Sequence, residues 1–267
     1  MIRSLYSGVS GLRNHQIRMD VIGNNIANVN TTGFKSGRAN FQDMVYQLVR
    51  SASAPAGTGP GSVNPSQVGT GISISGIGTN MGQGALQNTG RSLDLAIQGN
   101  GFFCVTDGTN RYYTRNGIFY IDRYGDIVDS NGNQLTDDGG APITITGGNG
   151  RVGSINIGKN GTITAKDTDG ATMTVSGSIA LFAFANPEGL QKVGQNYFIE
   201  TVASGTAQAI ANVGTTSEID SGYLEMSNVD LSEEFTSMIV TQRGYQANAR
   251  VITVSDTLLQ ELVDLKR

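Results

Sequence analysis

Apolar residues recur at helical spacing at the two ends of this chain and at strand spacing in its middle. From the start, Ile2, Leu5, Val9, Leu12, Met19 and Ile26 fall on alternating steps of three and four, interrupted at Gln16 and Gly23. Such spacing predicts a helix with a heptad-like apolar seam. It stops at Asn28-Val29-Asn30-Thr31-Thr32-Gly33, a cluster of helix-terminating and turn-forming residues. At the other end Leu231, Phe235, Met238, Tyr245, Ala249, Ile252, Leu259 and Val263 keep the same spacing, interrupted at Gln242 and Asp256. Asp230 is placed to cap this second helix, and Glu233 can reach back to the cap backbone. Lys266 and Arg267 suit the negative end of its dipole.

An apolar seam left in water costs roughly 25 cal/mol per Å², so the two ends are expected to pack on each other. Both helices carry further apolar positions, among them Tyr6, Ile17, Val21 and Ile22 on the first and Ile239, Val251, Leu258 and Leu262 on the second. A two-helix pair buries one stripe of each, and the remainder reads as contact surface for other subunits. Residues 51–68 have the Gly, Pro and Ser content of an irregular linker. Beyond it, short β-branched and aromatic runs alternate with turn residues. Leu93–Ile97, Gly101–Val105, Arg111–Thr114, Ile118–Ile121, Ile143–Ile145, Ile155–Ile157, Thr162–Ala165, Thr172–Val175 and Ile179–Phe184 predict strands. Asp107-Gly108, Asn116-Gly117, Asn131-Gly132 and Asn160-Gly161 predict turns. The fold class expected is α+β, with paired, coiled-coil-like terminal helices (1–30 with 228–267), an extended linker (31–68) and a central β domain of many short strands (69–227).

Composition narrows the function. The net charge is only −4, with no basic block for nucleic acid or an anionic membrane. The 37 glycines, about twice the usual share, fit many tight turns. No apolar run approaches the roughly 20 residues of a membrane span. The N-terminus lacks the basic and apolar regions of a cleavable secretory signal, so composition alone predicts a cytoplasmic protein. The one cysteine, Cys104, excludes an intrachain disulfide and reads as a small buried hydrophobe.

Three chemical motifs come close and fail. Gly153-Ser-Ile-Asn-Ile-Gly158-Lys159-Asn160 nearly spells a phosphate-binding loop, but Asn160 stands where a Ser or Thr should hold the metal, and a strand follows instead of a helix. Asp129-Ser130-Asn131-Gly132-Asn133 opens like a calcium loop but has Gln134 and Gly140 where Gly and Glu belong. One His and one Cys make no zinc cluster, and His15 reads as a polar helix-surface residue. Carboxylates are scattered. No enzyme activity, cofactor or metal is expected.

Four blocks give the chain a family. Ser7-Gly8-Val9-Ser10-Gly11-Leu12 with Met19 to Lys35, Asn88 to Phe103, Ala183 to Leu190, and Ser227 to Phe235 with Met238 to Arg243 closely resemble, in order, the flagellar rod and hook proteins. Within that family the string Ser227–Phe235 and the ending Leu262-Val263-Asp264-Leu265-Lys266-Arg267 look most like a short hook protein. Distal rod proteins tend to have Asn-Val-Asn at Asn228-Val229-Asp230, although the 51–68 segment is reminiscent of their extra segment. The resemblance implies a hook subunit, with a distal rod subunit of the basal body as the alternative. It implies export through the flagellar type III apparatus and helical assembly into a tube that carries torque from motor to filament, without membrane insertion. Partners would be further copies and the other axial proteins: rod, hook cap and hook–filament junction. The assembly interface would comprise Leu5, Val9, Leu12, Met19, Ile26, Leu231, Phe235, Met238, Ile252, Leu259 and Val263. Phe41-Gln42-Asp43-Met44-Val45 fits the Phe-x-x-x-apolar export motif of such substrates, and Phe41 and Val45 also suit simple packing one helical turn apart.

Overall fold

A computed structural model describes residues 2–52, 62–147, 152–210, 213–215 and 217–265. The chain forms two compact units. The first comprises the described residues of Met1–Ala27, Gly37–Thr79 and Asp230–Arg267; the second is Asn28–Ser36 with Asn80–Val229.

In the first unit, helix α1 (Ile2–Ala27) packs along helix α2 (Leu231–Asp264). α1 stops where the turn residues begin. Asp230 caps α2 by accepting hydrogen bonds from the backbone N–H groups of Ser232 (2.8 Å) and Glu233 (3.4 Å), which satisfies two donors that no helical carbonyl reaches. Lys266 and Arg267 lie outside the described residues. Strands β1 (Gly37–Asp43), β2 (Tyr46–Arg50), β3 (Ser66–Gly69) and β4 (Ile72–Thr79) form two antiparallel pairs, β1 with β4 and β2 with β3. Residues 53–61 of the 51–68 segment lie outside the described residues. The segment expected as linker and the first residues assigned to the β domain thus pair with one another beside the helices. Pairing satisfies their backbone groups. Every residue of β2 is exposed, so its sequence carries no alternation.

The second unit is built from seventeen short strands among the described residues. In chain order they are β5 (Leu86–Asn88), β6 (Leu95–Gln98), β7 (Phe102–Thr106), β8 (Arg111–Thr114), β9 (Phe119–Ile121), β10 (Ile127–Asp129), β11 (Gln134–Leu135), β12 (Ile145–Thr146) and β13 (Val152–Ile157). β14 (Ile163–Asp167), β15 (Thr172–Val175), β16 (Leu181–Ala183), β17 (Gln191–Gly194), β18 (Tyr197–Ile199), β19 (Gln208–Ala209), β20 (Glu218–Ser221) and β21 (Tyr223–Glu225) follow. The main sheet runs β17-β18-β8-β7-β11-β10-β9, with β16 joining β7 to β19. A four-stranded sheet, β12-β15-β14-β13, and the pairs β20-β6 and β21-β5 complete the unit. The predicted runs appear as strands within a few residues of their expected ends.

β7 explains the unbroken apolar run at its position. Successive side chains point to opposite faces, and both faces are covered. Phe103 and Val105 enter the main core with Phe119, Leu135, Leu181 and Ile219. Phe102 and Cys104 enter a smaller one with Tyr113, Phe182, Phe184 and Phe198. Rings there meet edge to face, Tyr113 on Phe184 at 4.8 Å, a favoured aromatic geometry. Cys104 is fully buried, and burial pushes its thiol pKa up. Gly108, Gly132 and Gly161 sit in turns at φ +78°, +88° and +81°, where a side chain would be strained. Gly117 differs from the expected turn. It is a close approach, since a Cβ there would fall 1.6 Å from the Leu95 carbonyl oxygen.

Buried charge joins the two ends of this unit. The fully buried Glu225 carboxylate accepts from Lys35 Nζ (2.6 Å) and from Arg115 Nη1 (3.2 Å). It also accepts the Gly84 N–H (2.9 Å). Lys35 donates further to the Gly82 carbonyl and Arg115 to the Gly99 carbonyl, each at 2.9 Å. Burial lowers the pKa of Lys35 and of Arg115, and Glu225 opposes both shifts. Around this triad Asn228 accepts the Ser36 N–H (2.8 Å) and donates to the carbonyls of Asn80 and Gly82. Gly33 (φ +69°) packs so close to Arg115 that a Cβ would meet its carbonyl carbon at 2.7 Å. The string Thr31-Thr32-Gly33-Phe34-Lys35 therefore has a structural reason for each of its last three steps: a left-handed turn, a ring under the Lys192 ammonium (5.2 Å) and a buried cation.

Candidate assembly surface

The two helices meet through small residues. A Cβ added to Gly8 would lie 3.3 Å from Ile252, one added to Gly11 would lie 2.8 Å from the Asn248 side chain, and one added to Gly244 would lie 2.8 Å from the His15 ring. With Asn25 donating to Glu234 Oε1 at 2.8 Å, these pairings set an antiparallel register. Gly8, Gly11, Asn14, Ile22 and Asn25 are the buried positions of α1; Thr241 and Ser255 are those of α2. Small contact residues let helix axes approach closely. The polar ones are spent internally: Thr241 donates to the Ser237 carbonyl, Asn14 to the Ile72 carbonyl, and Asn25 both donates to and accepts from the Gly37 backbone.

The helices therefore pair, but the side that faces the partner lies one residue round from much of the apolar stripe read in the sequence. Of the expected interface residues, Leu5, Leu12, Met19, Ile26, Met238, Ile252 and Leu259 are half-buried. Val9, Leu231, Phe235 and Val263 are exposed, Phe235 by 50% and Val263 by 65%. Ile252 is the one placed directly against the partner's glycine. Glycine and asparagine carry little weight in a hydrophobic pattern, so the contact stripe was missed; the i, i+3 pair Gly8 and Gly11 is the signal that could have found it.

His15 is not a plain surface residue. It fills the space opposite Gly244, touches Phe41 edge on at 5.7 Å and has its Nδ1 buried without a partner. Desolvation, then the nearby Arg18, lowers its pKa. Phe41 lies in β1, half-buried with Arg18 over its ring at 5.7 Å. Val45 follows β1 and is 82% exposed. Packing one helical turn apart is thus corrected, because no helix carries the pair.

The near-miss motifs are turns. Asp129 Oδ1 accepts the N–H groups of Asn131 (2.8 Å) and Asn133 (3.2 Å), and its other oxygen takes the Tyr197 hydroxyl. Gly158 donates to the Thr162 carbonyl at 2.8 Å in a hairpin turn, and Lys159 pairs with Glu218 at 2.8 Å. Among the described residues no group of three or more His, Cys, Asp or Glu is placed to hold a metal, and no helix is long and apolar enough to cross a membrane.

What the surface does offer is apolar area. Tyr6 and Ile17 on α1, and Ile239, Val240, Val251, Val254, Leu258, Leu262 and Leu265 on α2, are all exposed, a concentration that marks association surfaces. Three family models match along the chain: flagella basal body rod protein over 5–35, the D1 domain of flagellar hook protein FlgE/F/G over 96–165, and the C-terminal region of flagellar basal body rod FlgEFG proteins over 220–265. The flagellar basal-body rod protein FlgG of Bacillus subtilis is 48% identical over the full length of both chains. This chain belongs to the flagellar rod and hook protein family. The family is structural and non-enzymatic, and the chain is an axial subunit of the flagellum. Its relatives in Borreliella burgdorferi include the basal-body rod protein FlgG, 38% identical over 273 aligned residues, and the hook protein FlgE, 32% identical over 445, each covering all of both chains.

Proposed function

We propose that the chain is a distal rod subunit of the basal body, assembling helically with further copies and neighbouring axial proteins after export through the flagellar type III apparatus. This reverses the preference for hook drawn from Ser227–Phe235 and the C-terminal string. The observation that carries the rod reading is length with identity. The alignment to the Bacillus rod protein spans 269 residues at 48%, whereas alignment to the Borreliella hook protein stretches to 445 residues around segments this chain does not have. The exposed apolar positions of α1 and α2, including Val9, Phe235 and Val263, form contacts between subunits in this reading, together with the half-buried Leu259, and Phe41 with Val45 engages the export gate. Electron microscopy of polymers grown from the purified chain tests it. Straight, stiff cylinders are expected; curved tubes return the assignment to the hook, and the absence of any polymer speaks against an axial role.

A further inference from the structure

One surface of the helical unit is shaped for a specific occupant. A groove of about 490 Å³ runs between α1 and the strands beside it, its walls mostly apolar. Tyr6, Val9, Met44 and Ile72 line it, and Arg3 and Arg13 stand along it about ten residues apart. Tyr6 is 71% exposed. The helix register supplies a complementary shape. With Gly8 opposite Ile252 and Gly11 opposite Asn248, Ile2 falls opposite roughly residue 257, so about two turns of α2 continue past the start of α1. On that overhang Leu258, Leu262 and Leu265 form an i, i+4, i+7 stripe, all exposed, the last by 84%. Glu261 edges the same stripe, and Asp264 lies further round, with Gln260 and Val263. Among the described residues neither arginine of the groove and neither acid of the overhang has an ion-pair partner.

We propose that this groove receives the C-terminal overhang of α2 from a second copy of the chain, the Leu258–Leu262–Leu265 stripe on its apolar floor and Glu261 between Arg3 and Arg13. The inference rests on the axial reading and names the contact through which copies add. An apolar helix face laid in a groove, with charge fixing its direction, is a recurrent recognition mode. The chain's own overhang cannot fill its own groove, because α2 is continuous and carries it beyond the first residue of α1. Groove and overhang are different surfaces, so the contact is heterologous, and unless its rotation closes into a ring it leaves a free groove and a free overhang at every step, as an open helical array requires.

The test uses two differently tagged full-length chains, one with Ser10→Cys and one with Leu262→Cys; native Cys104 is fully buried. On mild oxidation a 10–262 disulfide between the two tags is expected, in soluble oligomers as well as in polymer. Arg13→Glu should cut its yield at least tenfold, and Glu261→Arg on the other chain should restore it. Circular dichroism checks that each variant keeps its helix content. Absence of the 10–262 bond, or charge reversal without loss and rescue, overturns the proposal, as does a groove occupied only when another axial protein is supplied. Polymer that forms without this bond leaves the axial reading standing and removes the groove alone, whereas a 10–262 bond in a chain that never polymerises supports the contact and counts against the axial reading.

Discussion

Replacing Glu225 with Ala should unfold the β unit more readily than any surface change in it. The carboxylate is the common partner of two buried cations, at 2.6 Å from Lys35 and 3.2 Å from Arg115, and all three side chains are at most 4% exposed. Removing it leaves two charges in a low-dielectric interior with carbonyls as their main acceptors, and strips the Gly84 N–H of its acceptor. Breaking a buried pair from one side costs about 3–5 kcal/mol. Against a domain stability of about 5–15 kcal/mol, and at about 2–4 °C per kcal/mol for a unit of this size, Tm should fall by roughly 6–20 °C. Near-ultraviolet dichroism reports it, because Tyr113 and Tyr197 are fixed in this unit. The internal control is Lys159→Ala. It removes the Lys159–Glu218 pair, whose lysine is 68% exposed, and solvent screening leaves such pairs little effect on stability. Glu225→Gln, which keeps the shape and loses the charge, should fall between. Equal melting of Glu225→Ala and Lys159→Ala would refute the reasoning, since the distinction rests on burial alone.

Further expectations follow from single contacts. Spectrophotometric titration should show Tyr113 and Tyr197 ionising late, near pH 12, because burial raises both to about 12 and Asp129 adds to the shift at Tyr197. The folded values exceed the unfolded one near 10, so the stability these two contribute is intact below pH 10 and is lost as pH rises through about 12. Gly11→Val should separate the helices where Asn248 now stands 2.8 Å from the added Cβ, lowering polymer yield at least tenfold in a sedimentation assay while the Tm of the β unit stays put. Phe41→Ala should reduce the secreted amount without reducing cytoplasmic synthesis, measured by immunoblot of medium and cell fractions; normal secretion would leave Phe41 as a packing residue beside His15.

The elements were largely legible from pattern. Thr172–Val175 and Arg111–Thr114 begin and end as strands where their β-branched and aromatic residues do, and Asp230 caps α2 as its position suggested. Long-range pairing was not legible. Lys35 and Glu225 are 190 residues apart, and neither has a neighbour in sequence that marks it as buried. The interface was half legible. Hydrophobic periodicity found the stripe with large side chains and passed over the one with Gly8, Gly11 and Gly244, because a close helix crossing is made by the absence of side chains. The same bias made β1 to β3 look like a linker and set β4 apart from them, in the β domain. Their ribbon is short of buried apolar residues, so pairing and not burial defines it.

The apolar positions left open on the helices also set where order depends on assembly. The β unit buries its own large hydrophobics, with Phe103, Phe119, Leu135 and Leu181 all at 0% exposure. Among the described residues no part of α1 lies opposite the overhang of α2, which exposes Leu258, Leu262, Val263 and Leu265. An isolated helical segment shorter than about 12–15 residues is marginal in water, and two turns without a partner surface have little to hold them. Hydrogen exchange should therefore find three classes of amide in the monomer. The β core should be protected to the global limit, the paired section of the helices should be intermediate, and residues 258–264 should exchange close to the unstructured rate. On polymerisation the overhang should gain the most, at least a hundredfold, because its leucine stripe then has a surface to cover it. Circular dichroism should rise in parallel at helical wavelengths. If residues 258–264 are already as protected in the monomer as the amides around Asn248, the overhang is ordered without a partner, and assembly cannot be what holds it.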